Sequence, residues 1–222
     1  GNIEVGASTS LKEFELFIKK YYPDFNLILK RYGSDQIRNV GTIAGNIATA
    51  SPIGDTLPLL LSLDAKIVLQ KKSNKTVLPL KKFFISYRKT RLKKGEFIHS
   101  IIIPIFKNNI FKAYKISKRV DDDISTVCAS FNLEIINNKI KSVKIAYGGM
   151  APIPKRAINC EKTLVNSSLS EESLNKAMKK LEMDFAPIDD MRASKSYRME
   201  IAKNLLIKCF LEIKNRKSIR LS

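Results

Sequence analysis

Residues 38–55 read R-N-V-G-T-I-A-G-N-I-A-T-A-S-P-I-G-D, and they are the most informative stretch of the chain. The stretch holds three glycines, three alanines and three hydroxyl side chains in a protein otherwise rich in Lys, Ile and Leu. Glycine adopts positive φ and lets another backbone come close, so Gly41, Gly45 and Gly54 suit a loop wrapped against a ligand. Small neighbours leave successive N–H groups free to form a concavity that binds phosphate. Composition alone favours a phosphate-binding loop and a tight packing corner equally.

Polar side chains in and after this loop add to the ligand-binding interpretation. Thr42, Asn46 and Ser51 supply hydrogen-bond donors that a packing corner does not need. Asp55 stands at the expected N-cap of an apolar helix, with Pro58 in its first turn. A carboxylate at that position can cap the helix, receive hydroxyls from a polyol ligand, or do both.

The composition is that of an ordinary globular protein, with 222 residues, 44% of them hydrophobic and 27% charged. Apolar runs such as 57–63 and 97–106 are too short or too interrupted to span a bilayer, so we expect no membrane partner. The three cysteines are odd in number and far apart, which argues against a disulfide framework. Together with the lack of a secretory signal pattern, this predicts a cytoplasmic protein.

The formal net charge is +19 and the isoelectric point is near 9.8, values that nucleic-acid-binding proteins often show. The basic residues are mostly Lys, mixed with Ile and Asn along the chain, and lack the aromatic interleaving of a single-strand binder. We therefore expect no nucleic-acid partner, although a basic nucleic-acid-binding protein stays as an alternative. The charge could also attract phosphate-bearing ligands or an acidic partner subunit.

Apolar periodicity predicts an α+β protein of two lobes. In the first lobe, Ser10 and Glu13 form a capping box at the start of a helix. The other elements predicted there are strands at 3–6, 65–70 and 97–103, helices at 25–32, 55–63 and 80–87, and a turn at 72–75. The polar break at 107–109 predicts a boundary between a domain at 1–108 and a domain at 109–222.

The second lobe begins with a strand at 111–117. Alternating apolar residues from Val127 to Ile135, the pair Asn137-Asn138 and a strand at 139–147 predict a β-hairpin. Helices are predicted at 155–165, 170–183 and 194–214.

Familiar catalytic motifs are absent from the sequence. It has no G-x-G-x-x-G, G-x-x-x-x-G-K-[ST], G-x-S-x-G or C-x-x-C, and one histidine cannot form a His-based metal cluster. Redox or group-transfer chemistry would therefore depend on a bound cofactor. Lys115, at the end of a strand followed by charges of both signs, could face an electron-rich ligand, or the segment could be a solvated hairpin.

Four segments resemble the xanthine dehydrogenase family of molybdenum hydroxylases, in particular the FAD-binding portion of the bacterial small subunit. They are Y-G-S-D-Q-I-R-N-V-G-T-I-A-G-N-I-A-T-A-S-P-I-G-D at 32–55, F-K-A-Y-K-I-S-K-R-V-D-D-D-I-S at 111–125, A-Y-G-G-M-A at 146–151 and D-M-R-A-S-K-S-Y-R at 190–198. The resemblance implies the second subdomain of a PCMH/vanillyl-alcohol-oxidase-type FAD-binding domain. A C-terminal domain like that of CO dehydrogenase flavoproteins, a small antiparallel sheet plus helices, would follow it.

The resemblance also implies roles for individual residues. The FAD diphosphate and ribityl chain would lie against Thr42, Ile43, Ala44, Gly45 and Asn46, with Ser51 and Asp55 also at the cofactor. Tyr32 and Ile98 would pack against its rings, and Lys115 would lie near the flavin. Asp122 matches an acidic residue of a loop beside the isoalloxazine, which helps decide whether NAD⁺ or oxygen reaches the reduced flavin. The family usually has Gly at the position of Ala44, whose methyl group would crowd the diphosphate.

In such enzymes a molybdopterin-binding large subunit oxidises xanthine or hypoxanthine. Electrons then pass through 2Fe-2S clusters of an iron–sulfur domain or subunit and through FAD to NAD⁺. Residues 1–10 match the middle of the flavin domain, so we expect its first subdomain to be missing, weak FAD binding and no activity of the chain alone. The alternative within this family is a non-catalytic docking fragment.

Overall fold

The first lobe is built on a four-stranded antiparallel sheet covered by helices on one face. The computed structural model describes residues 1–215. The sheet has the order β1-β6-β2-β3 and comprises β1 (Asn2–Gly6), β2 (Lys66–Lys71), β3 (Asn74–Pro79) and β6 (Phe97–Pro104). A separate short hairpin pairs β4 (Phe84–Ser86) with β5 (Lys89–Thr90). The helices are α1 (Leu11–Ile18), α2 (Pro23–Lys30), α3 (Asp35–Val40), α4 (Ile43–Thr49) and α5 (Thr56–Ser62).

The predicted capping box at α1 is confirmed. The Ser10 hydroxyl accepts a hydrogen bond from the Glu13 N–H at 3.1 Å, and the Ser10 N–H donates to Glu13 Oε2 at 2.8 Å. These bonds satisfy two groups that the start of a helix would otherwise leave unpaired. Leu11, Phe14 and Ile18 are buried, so the apolar stripe of α1 faces the core as its spacing predicts.

Three predictions in the first lobe differ from the structure. The stretch after Gly41 is not a continuous loop, because residues 43–49 form α4, capped by the Thr42 hydroxyl and ended by Ala50 at φ 49°. A segment of small residues can form a short helix or a loop, and packing and a cap decide between them. Composition alone therefore did not predict α4. The helix predicted at 80–87 is instead a 3-10 turn followed by β4, and β3 begins at Asn74, inside the predicted turn.

The second lobe has an antiparallel sheet of order β10-β9-β8-β7 with three helices. Its strands are β7 (Asn109–Ile116), β8 (Val127–Ile136), β9 (Lys139–Gly148) and β10 (Lys155–Arg156), and its helices are α6 (Ile158–Leu164), α7 (Glu171–Asp184) and α8 (Lys195–Asn215). The predicted hairpin turn is confirmed, with Asn137 at φ 49° and Asn138 at φ 60°. The helix predicted at 155–165 starts later, because Lys155 and Arg156 pair with β9.

The two lobes share a buried interface. Ala113, Cys128 and Ala146 of the second sheet belong to the hydrophobic core of the first lobe. At the same interface, the hydroxyls of Ser62 and Ser130 are hydrogen-bonded at 2.6 Å, a contact between α5 and β8. The α+β fold of two packed lobes is thus as predicted. None of the helices within 1–215 combines the length and apolar composition that crossing a membrane requires.

Candidate functional site

A cleft of about 620 Å³ opens where the small-residue segment meets the second lobe. This volume lies within the range of about 300–1,000 Å³ that small-molecule sites usually have. The residues that line it come from both lobes: Leu11, Tyr32, Gly33, Ile37, Gly41, Thr42, Gly45, Asn46, Thr49, Ser51, Ile53, Gly54, Asp55, Arg88, Lys115, Asp122, Asp123, Ile124, Ser125 and Arg192.

The three glycines of the small-residue segment have different roles. A Cβ on Gly41 would lie 2.9 Å from the Ile37 carbonyl oxygen, and one on Gly54 would lie 3.0 Å from Leu57 Cδ1. Both glycines therefore permit close packing. Gly45 is exposed on the cleft side of α4, and a Cβ there would have one neighbour within 4 Å, the Thr42 hydroxyl at 3.0 Å. The segment is a packing corner at Gly41 and Gly54 and an open wall at Gly45.

Asn46 connects three elements at the floor of the cleft. Its amide nitrogen donates to the Tyr32 hydroxyl at 2.8 Å, and its amide oxygen accepts from the Thr56 hydroxyl at 2.5 Å. Burial raises the pKa of Tyr32, and the negative charge of Asp55 raises it further, while the Asn46 hydrogen bond opposes both. The Tyr32 hydroxyl thus keeps its proton and can donate it to a ligand in the cleft.

Asp55 and Lys115 form a buried ion pair below this network. Lys115 Nζ lies 2.7 Å from Asp55 Oδ2, and the side chains are 2% and 6% exposed, respectively. Lys115 also donates to the Arg31 carbonyl at 2.8 Å, and the Ser125 hydroxyl donates to Asp55 Oδ1 at 2.5 Å. Burial raises the pKa of Asp55, while the charge and hydrogen bond of Lys115 lower it. Asp55 makes no side-chain capping bond to α5, so its carboxylate is directed to these partners.

The loop between β7 and β8 carries Asp122 to the rim of the cleft. Arg31 holds the start of this loop through bonds to the carbonyls of Val120 and Lys115, at 2.8 and 3.0 Å. Asp123 closes it by accepting from the backbone N–H of Arg119 at 2.8 Å, and this bond holds the pKa of Asp123 below its usual value. Asp122 is exposed with φ 50°, so its carboxylate is open to solvent and to the cleft.

Most of the predicted site residues meet in the cleft, namely Tyr32, Thr42, Gly45, Asn46, Ser51, Asp55, Lys115 and Asp122. Ile43, Ala44 and Ile98 lie instead in the core of the first lobe, and the N–H of Ile43 donates to the Thr9 carbonyl at 3.3 Å. The methyl of Ala44 therefore points into the core and does not line the cleft, contrary to the expected crowding. The cofactor contacts of all these residues stay predictions.

Several lining residues were not identified from the sequence. Ser125 closes the motif that contains Lys115, and Arg192 lies in the motif at 190–198, so both stand within segments that already pointed to the site. Arg88 comes from the β4–β5 turn, where no local pattern indicates a ligand contact.

A second cavity of about 370 Å³ adjoins the cleft and shares Ile53 with it. It is lined mainly by apolar groups, with one ion pair at its edge between Arg198 and Asp190 at 2.7 Å. Arg198 also donates to the carbonyls of Thr126 and Gly149, at 2.5 and 3.1 Å. The Gly149 N–H donates to the Pro52 carbonyl at 2.8 Å, which fixes the turn after β9 against the small-residue segment.

Two family models match the chain in succession. The FAD binding domain in molybdopterin dehydrogenase matches residues 1–106, and the CO dehydrogenase flavoprotein C-terminal domain matches residues 112–213. The chain belongs to the flavoproteins of the molybdenum hydroxylase family. Because the first of these models is that of an FAD-binding domain, the family cofactor of this portion is FAD.

The chain covers only part of the length of the similar proteins. The chain is 35% identical over 198 residues to a xanthine dehydrogenase from Emericella nidulans, an alignment that covers 82% of the chain and 14% of the relative. It is 29% identical over 213 residues to a glyceraldehyde dehydrogenase medium chain from Sulfolobus acidocaldarius, covering 95% of the chain and 75% of the relative.

A solved structure of carbon monoxide dehydrogenase from Hydrogenophaga pseudoflava has the same fold. The TM-score is 0.87 at 22% identity, with 92% of the chain and 72% of that structure covered. The predicted fold of a flavoprotein in this family is therefore confirmed.

The cleft residues fit FAD. The exposed Gly45 leaves room that a side chain would fill, beside hydroxyl and amide groups of Thr42, Asn46 and Ser51 that can bond a diphosphate or a polyol chain. Leu11, Ile37, Ile53 and Ile124 provide apolar surface in the same cleft. Polar groups beside apolar surface match a ligand with a charged linker and flat aromatic rings.

Proposed function

We propose that this chain holds FAD in the cleft between its lobes and carries electrons within a xanthine dehydrogenase-like enzyme. Electrons would enter from 2Fe-2S clusters of an iron–sulfur domain or subunit and leave to NAD⁺. A molybdopterin-binding large subunit would oxidise the substrate, xanthine or hypoxanthine. The similarity to a xanthine dehydrogenase supports this substrate class, and the whole enzyme would work in the cytoplasm.

The observation that carries the proposal is the arrangement at the cleft floor. The exposed Gly45 wall, the Asn46–Tyr32 pair and the Asp55–Lys115 pair surround one cavity and come from both lobes. In this arrangement Asn46 orients the Tyr32 hydroxyl, and Lys115 offsets the buried charge of Asp55. Bound FAD would supply the two-electron chemistry that links one-electron carriers to a hydride acceptor. The chain's own residues bind it, orient it and shield it from water.

The second cavity supports NAD⁺ as the acceptor. It adjoins the cleft at Ile53, so a ligand there would lie beside a ligand in the cleft, and hydride transfer requires the two to be neighbours. Its apolar lining suits a nicotinamide ring, and Tyr87 at its edge can stack on that ring. Asp122, on the rim of the cleft, would bias access between NAD⁺ and oxygen through its charge.

A titration of FAD into the purified chain tests cofactor binding. Gly45→Val should abolish the change in flavin absorbance and fluorescence, because its side chain projects into the cleft. Ala48→Val is the matched control, since Ala48 is exposed on the same helix but does not line the cleft. The region from Asn109 onward should fold normally in both variants. Retained FAD in Gly45→Val, or equal loss in both variants, would contradict the proposed site.

A further inference from the structure

More than half of the net positive charge of this protein, +11 of +19, comes from one segment of the first lobe. Residues 65–95 contain nine lysines and two arginines and no acidic residue, which leaves 29 of the 40 basic residues and all 21 acidic ones elsewhere. This differs from the even scatter expected from the sequence. A uniform compositional bias toward lysine would not remove every carboxylate from one segment.

All eleven basic side chains are exposed. Within residues 1–215, none of them forms an ion pair with a carboxylate. The nearest acidic residue along the chain after the segment, Glu96, accepts a hydrogen bond from the Lys93 N–H at 2.8 Å. No direct ion pair therefore neutralises these side chains within residues 1–215. The acidic residue on the same face of the sheet, Glu4, accepts a hydrogen bond from the Ser100 hydroxyl at 2.6 Å.

The segment forms two hairpins, β2–β3 and β4–β5. Arg88 at the tip of the second hairpin lines the cleft, so not all of the charges lie on one surface. The Cε atom of Lys71, at the end of β2, lies 3.5 Å from the Cβ position of Gly95. The guanidinium of Arg91 donates to the Lys82 carbonyl at 2.6 Å, which joins the end of β5 to the 3-10 turn. We call the exposed side chains of residues 66–77, together with Lys93, Lys94 and Phe97, the basic face.

Apolar side chains stand among these charges. Ile67 and Leu69 of β2 point into the core, so the alternate residues point outward. Directly paired residues of antiparallel strands share a face, and the register pairs Val68 with Val77, and Gln70 with both Lys75 and Phe97. Val77 and Phe97 are 54% and 52% exposed on that outward face, next to Lys75.

We propose that the basic face binds an acidic protein surface that has an apolar centre. Exposed Val77 and Phe97 would form the buried middle of the contact, and lysines would form its charged rim and steer association. A nucleic acid is a poorer fit, because the face is an open sheet without a groove to follow a strand, and its basic residues are lysines with no arginine among them. The proposal does not depend on FAD.

Fluorescence anisotropy of the purified chain tests the proposal with a labelled synthetic peptide of Glu and Asp interspersed with Leu and Phe. We expect binding that weakens with salt. The combined change Lys66→Glu, Lys71→Glu, Lys75→Glu and Lys94→Glu should weaken it by about tenfold or more. The matched control reverses Lys19, Lys141, Lys162 and Lys179, which are exposed elsewhere, and should weaken it by about twofold or less.

The apolar centre is tested by Val77→Ser combined with Phe97→Ser, which keeps every charge. This variant should weaken binding of the acidic peptide several-fold and leave binding of single-stranded DNA unchanged. Circular dichroism checks that each variant is folded. If the double variant unfolds, the single variants Val77→Ser and Phe97→Ser are tested for peptide binding in its place. The proposal is overturned if the peptide fails to bind at low salt, or if both charge-reversal sets weaken it equally. It is also overturned if DNA or phosphatidylserine vesicles bind more tightly than the peptide.

Discussion

Lys115 and Asp55 join the two lobes through an ion pair of 2.7 Å in which both side chains are almost fully buried. Asp55 precedes α5 in the first lobe, and Lys115 lies on β7 in the second. Removing one partner of a buried pair leaves the other charge without compensation. The pair thus connects the floor of the candidate site to the stability of the whole molecule.

Lys115→Met should lower the free energy of unfolding by about 3–5 kcal/mol, because it leaves the Asp55 carboxylate buried without a cation. The double variant Lys115→Met with Asp55→Leu should lose less than the single variant, since neither charge then remains. Urea unfolding followed by circular dichroism measures both. A double variant that is less stable than Lys115→Met alone would contradict this account.

Gly149→Ala should destabilise the protein far more than Gly95→Ala. Both glycines have positive φ, 82° and 80°, so both substitutions carry a backbone strain of about 1 kcal/mol. A Cβ on Gly95 meets only Lys71 Cε at 3.5 Å, whereas one on Gly149 would overlap the Thr126 carbonyl oxygen and approach Arg198 Nη1. The loss at Gly149 should exceed the loss at Gly95 by on the order of 3 kcal/mol in thermal unfolding. Equal losses would show that the turn can move away from the Thr126 carbonyl.

Arg31→Met should expose the loop between β7 and β8 to protease. The guanidinium of Arg31 donates to Val120, Lys115 and Ser117, and these bonds hold the loop against α2. Limited trypsin digestion should cut after Lys118 or Arg119 faster in this variant than in the unchanged protein. Arg91→Met, which also removes a bond from an arginine to a carbonyl, is the control and should leave cleavage at these sites unchanged.

The same loop should keep its structure in moderately acidic solution and lose it only at low pH. The Arg119 N–H holds the pKa of Asp123 below 3.8, so the ionised form favours the folded loop. A lowered pKa in the folded state gives stability that is present above the unfolded value and lost as pH falls through the folded value. An NMR titration of the Asp123 carboxyl should show a midpoint below 3.8, and Asp123→Asn should remove this pH dependence from the loop amides.

Local signals account for the parts of the fold that the sequence predicted well. The Ser10–Glu13 box and the Asn137-Asn138 turn depend on residues close in the chain, and both were found as expected. Helix α4 and strand β4 were missed because tertiary packing, not local preference, selects their conformation. Motif resemblance located most of the cleft residues. It gave no information on the bonding of Asp55, since Lys115 and Ser125 lie 60 and 70 residues away along the chain.

The hydrogen bond between Ser62 and Ser130 has a consequence for cofactor exchange. It lies in the buried interface with the Asn132 side chain, which donates to the Ser62 carbonyl at 3.2 Å. Separating the lobes would strand these polar groups without partners, so the interface resists a hinge motion. We therefore expect FAD exchange to depend on the loops at the mouth of the cleft and not on separation of the lobes. A larger side chain on the rim, for example at Asp122, should then slow both release and capture of the cofactor.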